Sequence, residues 1–115
     1  MFESGDASGA ADVFASDYAD HQGLGGEPLR GPDGFARVVA AARNPHRSAS
    51  LEITLEDVVA DDERVAARLR WRELRHDGIE VRRETIELLR VRDGKFVEHW
   101  GAEAWRREST LPTRE

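Results

Sequence analysis

The sequence predicts an α+β domain in which helices come first and a curved antiparallel sheet of about four long strands follows. Three observations carry this. Near Ser50 the hydrophobic period changes from about 3.6 residues to 2. The helical pattern is confined to the first part of the chain and the strand pattern to the rest, so helices are segregated from the sheet and pack on one face of it. Asp77-Gly78 and Asp93-Gly94 punctuate the second part as tight turns, because both residue types tolerate positive φ.

The first element is expected as a helix from about Asp6 to Asp20, capped by Ser4 or Asp6. Ala10, Phe14 and Tyr18 recur at four-residue spacing and form one stripe. Continued at about 100° per residue, that stripe brings His21 within about 20° of Phe14 and so toward the core. Gly23, Gly25 and Gly26 stop the helix. They follow a helix rather than a strand, so they lack the context of a phosphate-binding loop. The second helix begins at Gly31-Pro32, where proline's missing N–H does no harm, and ends at Asn44-Pro45. Phe35, Val38, Val39 and Ala42 make its apolar face.

Leu51, Ile53 and Leu55 then alternate with Glu52, Thr54 and Glu56 in a half-buried strand. Asp61-Asp62 is a turn, and Val65, Ala67, Leu69 and Trp71 alternate with arginines in the next strand. Val81–Val91 and Phe96–Trp105 form a hairpin about Asp93-Gly94. Its second arm sets Glu98, His99, Trp100 and Glu103 close together, an unusual mixture for pure core and one that suits a sheet facing a cavity.

With 115 residues the chain is one domain, expected over 1–107, with a polar, frayed tail over 108–115 that contains Pro112. It has no cysteine, which excludes disulfides, thiolate–zinc ligation and thiol catalysis. The N-terminal residues show neither a basic region nor an apolar run, and no stretch approaches the ~18 apolar residues of a membrane span. A cytoplasmic location is expected, with no membrane partner. A net charge of −6 opposes binding to nucleic acid. Arg64, Arg68, Arg70, Arg72, Arg82 and Arg83 belong to neighbouring strands with Glu80, Glu84 and Glu87, where they could form cross-strand pairs or equally line a sheet-to-sheet dimer interface.

Three segments, SDYADHQG (Ser16–Gly23), GPDGF (Gly31–Phe35) and ETIELLRVRDGKFVEHW (Glu84–Trp100), resemble the SnoaL-like polyketide cyclases of the nuclear-transport-factor-2-like superfamily. The likeness runs from about Gly5 to Trp105. It implies a cone-shaped fold, a pocket between the helices and the concave sheet, and a homodimer. It also implies an intramolecular aldol ring closure without a cofactor. In such cyclases the acid/base residue is an aspartate four positions after the tryptophan of Glu-His-Trp. Here that position is Ala104, and the nearest carboxylate is Glu103.

Glu103 and His21 are therefore the candidate catalytic residues. Glu103 is three residues from Trp100, so a regular strand sends the two to opposite faces unless a bulge, for which Gly101 is suited, resets the parity. Otherwise Glu103 is a solvent or interface carboxylate paired with an arginine. His21 suits proton transfer near neutral pH, or else is satisfied by a backbone carbonyl at a helix end. Tyr18, Phe35, Trp71 and Trp100 could hold a flat hydrophobic ring, or fill the core. Trp105 is expected at an edge or dimer contact. Glu98 and His99 are adjacent and so face opposite ways, and His46 and His76 lie in loops, so no metal site is expected. Two functions follow: a cofactor-free cyclase, isomerase or hydrolase acting on a small hydrophobic ring compound, or a non-catalytic binding or dimerisation module of the same fold.

Overall fold

The computed structural model describes residues 2–21 and 28–110. The glycine stop expected at Gly23, Gly25 and Gly26, and residues 111–115 of the tail, lie outside them. The order is α1 (Ala10–Val13), β1 (Phe14–Asp20), β2 (Leu29–Arg30), α2 (Gly31–Ala42), β3 (Ser48–Ala60), β4 (Arg64–Arg75), β5 (Ile79–Arg92) and β6 (Lys95–Thr110). The strands form one curved sheet in the order β2-β1-β6-β5-β4-β3. The α+β class holds. The long antiparallel strands β3 to β6 are those the alternation predicts.

The first element departs from expectation. Only one helical turn forms, and Phe14–Asp20 is a strand, antiparallel to β2 and parallel to β6. A spacing of four residues does not distinguish the two structures: it returns to the same face in a helix and, being even, in a strand as well. Phe14 and Tyr18 therefore still point inward. A spacing of three does distinguish them. His21 follows Tyr18 by three residues and goes to the other face. At the C-terminus, pairing continues to Ile79↔Thr110, so the tail begins three residues later than expected.

The buried cluster of Ala10, Phe14, Tyr18, Phe35 and Val39 joins α2 to β1, with Phe2, Ala7 and Phe96 around it. Phe14 stacks on Phe35 with ring centroids 4.0 Å apart and tilts against Tyr18 at 4.6 Å. This wedge holds α2 over one end of the concave face. Asp93 (φ 52) and Gly94 (φ 76) both take the left-handed conformation that a two-residue primed turn requires. Gly34 serves a different purpose: a Cβ there would sit 2.8 Å from the carbonyl carbon of Leu29, so the residue lets α2 lie close against β2. Gly34→Ala is expected to cost about 2 kcal/mol through that backbone clash, and Gly94→Ala about 1 kcal/mol through its positive φ. Urea unfolding of the two variants gives the ranking. An unperturbed Gly34→Ala protein would show that α2 and β2 are not held in close contact.

Candidate active site

A cavity of about 490 Å³ lies between α2 and the concave face of the sheet. Strand parity decides its lining. Trp71, Leu69 and Ala67 alternate inward on β4, and Arg83, Thr85, Glu87 and Leu89 on β5. Phe14, Phe35 and Val38 close the opposite wall. Most of this surface is apolar, apart from Arg83 beside Trp71 and one strongly polar end.

At that end Tyr18, Asp20, His99 and Glu87 form a hydrogen-bonded chain. The Tyr18 hydroxyl donates to Asp20 Oδ2 at 2.8 Å. His99 Nδ1 lies 3.2 Å from the same oxygen, and its Nε2 lies 2.6 Å from Glu87 Oε2. Asp20 and Tyr18 are fully buried, and Glu87 is only 8% exposed. Burial on its own disfavours the imidazolium. The hydrogen bonds to Asp20 and Glu87, with their charges, outweigh it and push His99 from an ordinary 6.5 up to about 9. At neutral pH His99 is thus a cation donating from both ring nitrogens. Burial, followed in size by the charge of Asp20, raises the Tyr18 phenol far above its ordinary range, so it remains a donor. Glu87 Oε1 makes no hydrogen bond among the described residues and adjoins the cavity.

Side chains of β1, β5 and β6 meet here because of one bulge. A regular hairpin about Asp93-Gly94 continues the pairing Arg92↔Lys95 and would set His99 on the face opposite Glu87. Instead the register slips between Val91↔Phe96 and Arg90↔Glu98, with Val97 as the extra residue. His99 then pairs with Leu89 and points inward beside Glu87. A second bulge adds Ala104 between Thr85↔Glu103 and Glu84↔Trp105. Neither bulge is at Gly101, the position expected.

Of the residues singled out from the sequence, Tyr18, Phe35 and Trp71 line the cavity. Trp71 donates from Nε1 to Thr85 Oγ1 at 2.8 Å, and the Arg83 guanidinium lies 4.2 Å over its ring. Trp100 belongs to the outer face. Its partner there is His21, stacked with centroids 4.9 Å apart, and His21 Nε2 lies 3.0 Å from Glu98 Oε2. His21 and Trp100 are therefore corrected from pocket residues to outer-face residues, His21 because β1 is a strand and Trp100 because of the bulge at Val97. Glu103 shares the inner face with Thr85 but is exposed at its rim, 3.7 Å from Arg106, and does not line the cavity. That is the arginine-paired placement. His21 and Glu103 are not brought together. Asp20 and Glu87 were not singled out for chemistry. The available signal was position alone: Asp20 stands two residues after Tyr18, and Glu87 lies between Ile86 and Leu88 on the inward parity of its strand.

Among the described residues no three His, Cys, Asp or Glu side chains are arranged to hold a metal ion, and no helix is long and apolar enough to cross a membrane. Where the pairing of His99 stabilises the fold, the raised value fixes the sign: the contribution is complete below pH 6.5 and fades as pH rises through about 9. The His99 ring should titrate near the upper limit by NMR, and urea stability should fall across this window. Glu87→Gln should lower the titration midpoint. A midpoint at the ordinary histidine value would mean that the ring is not clasped by the two acids.

Solved structures share this architecture. Wild-type IdmH from Streptomyces antibioticus, described as a candidate polyketide cyclase, is 25% identical, with 90% of this chain and 84% of that chain covered and a TM-score of 0.73. A loop-truncation variant of IdmH is 28% identical over the same shares, also with a TM-score of 0.73. Delta 5-3-ketosteroid isomerase from Mycobacterium sp. is similar in fold at 18% identity, with 94% of this chain and 89% of that chain covered and a TM-score of 0.68. No curated protein matches the sequence. The model of the SnoaL-like domain matches residues 1–99, and the chain belongs to that family.

Proposed function

We propose that the protein is a cofactor-free acid/base catalyst acting on a hydrophobic, ring-containing small molecule. The observation that carries this reading is the buried chain Tyr18–Asp20–His99–Glu87 at the polar end of an otherwise apolar cavity. Glu87 is the base: through Oε1 it takes a proton from the carbon next to a substrate carbonyl, and the electron pair moves onto the carbonyl oxygen. Once protonated, Glu87 accepts more weakly at Oε2, which frees the His99 Nε2–H to bond the new oxyanion. Asp20, held by Tyr18, keeps the imidazole charged and oriented. The enolate then closes a ring or is reprotonated at another carbon. The names of the structural neighbours, polyketide cyclase and ketosteroid isomerase, agree with proton chemistry on ring compounds.

The alternative is a non-catalytic binding module. It is favoured by Ala104, the residue at the position where the family resemblance implies an acid, which here is the exposed extra residue of a bulge. Solvent-deuterium entry next to the carbonyl of 2-tetralone, followed by NMR, separates the readings. Exchange faster than in buffer is expected, with Glu87→Gln lowering it by roughly 10²–10⁴-fold and His21→Ala leaving it unchanged. Saturable binding of the ketone without exchange would establish the module.

We also propose a homodimer through the outer sheet face. Val59, Ile86, Leu88 and Trp105 alternate outward and remain between 40% and 71% exposed. Sedimentation should show a dimer that an Ile86→Lys, Leu88→Lys variant converts to monomer. A monomeric wild-type protein at micromolar concentration would exclude it.

A further inference from the structure

A second cavity, of about 390 Å³, adjoins the first and shares Ala42, Trp71 and Arg83 with it. Its charges are unbalanced: Arg47, Arg75, Arg83 and Arg106 line it against the single acid Glu73. Three of these arginines have acidic partners. Arg47 meets Glu73 at 3.0 Å, Arg75 meets Asp77 at 2.7 Å, and Arg106 meets Glu108 at 3.1 Å. Arg75 Nε is buried without a hydrogen bond among the described residues. The Arg83 guanidinium, at the junction, forms no hydrogen bond or ion pair among them and rests on the Trp71 ring. The acid whose charge acts most strongly on it is Glu103, which Arg106 holds at the rim. A half-buried guanidinium with five donors and no acceptor among the described side chains is open to an anionic ligand.

We infer that Arg83 binds a carboxylate carried by the substrate, with the ring system in the apolar cavity and the carboxylate at the arginine-lined junction. The inference rests on the reading of the apolar cavity as the substrate site. Two features fix the orientation. Arg83 and Glu87 lie on the same face of β5 four residues apart, about 13 Å along the strand. The far end already holds the Asp20 and Glu87 carboxylates, which repel a second anion. The substrate is therefore an elongated hydrophobic acid whose reactive carbonyl lies at the end opposite its carboxylate. Trp71 supplies a flat surface beside the anchor, and a planar guanidinium matches a carboxylate through a bidentate fork.

The test uses calorimetric titration of the whole protein with 2-naphthoate and with 2-naphthamide, which has the same shape without the charge. Naphthoate should bind about tenfold or more tightly than naphthamide. Arg83→Met should abolish the preference, while Arg70→Met, on the outer face, should keep it. In the wild-type protein the Arg83 Nε–Hε resonance should move with naphthoate and not with naphthamide. This observation decides the matter if the Arg83 variant fails to fold. Equal affinities, or a preference that survives in Arg83→Met, would overturn the role of Arg83 alone. Binding of neither compound would overturn both this inference and the reading of the cavity as a substrate site.

Discussion

The site depends on burying one cation between two anions. Isolated in the interior, each of Asp20, Glu87 and His99 would either neutralise or draw in water. Together they hold a net charge far smaller than their number, and the Tyr18 hydroxyl supplies one of the donors Asp20 needs. Even so, a well-packed apolar replacement of such a cluster is often neutral or stabilising. The cluster is therefore poorly explained by stability. Its position on a cavity wall, with one carboxylate oxygen uncommitted, explains it better.

That cluster is assembled by sheet register. Asp20 comes from β1, Glu87 from β5 and His99 from β6, so no two members are neighbours in sequence. The parallel pairing Asp20↔His99 and the antiparallel pairing Leu89↔His99 bring them to one end of the sheet. The bulge at Val97 turns His99 inward. A one-residue slip would carry the whole of the later strand to the opposite face. The same slip that builds the site therefore places Trp100 outside, where it stacks with His21.

These facts also explain what could be read from the sequence. The change of period at Ser50 and the Asp-Gly turns specify β3 to β6, because alternation and positive φ are local properties. The segment Phe14–Asp20 is different. Its spacing fits helix and strand alike, and what makes it a strand is the pairing offered by β2 and β6, which is non-local. The inward residues Tyr18, Phe35 and Trp71 were legible because parity or helical phase is the same on either reading. His99 was visible only as a residue adjacent to Glu98 and facing away from it. Its partners required a bulge that no residue type announces: Val97 is a common strand residue, whereas Gly101, the residue suited to a bulge, pairs regularly with Glu87. Glu103 was legible both as an acid near the site and as a carboxylate paired with an arginine, and the partner, Arg106, follows from the register of β6.

The charge layout adds a final constraint. Electrostatic groups act strongly where water is excluded, and the two ends of this cavity carry opposite excesses. At the Tyr18 end, two carboxylates enclose one imidazolium; at the Trp71 end Arg83 lines the cavity, and in the adjoining cavity arginines outnumber acids. An apolar ring alone could bind in such a cavity in either direction, since dispersion and burial are almost indifferent to orientation. Opposite charge at the two ends removes that degeneracy. For the substrate proposed above, the apolar walls would supply affinity, while the polar ends would decide which carbon lies against Glu87.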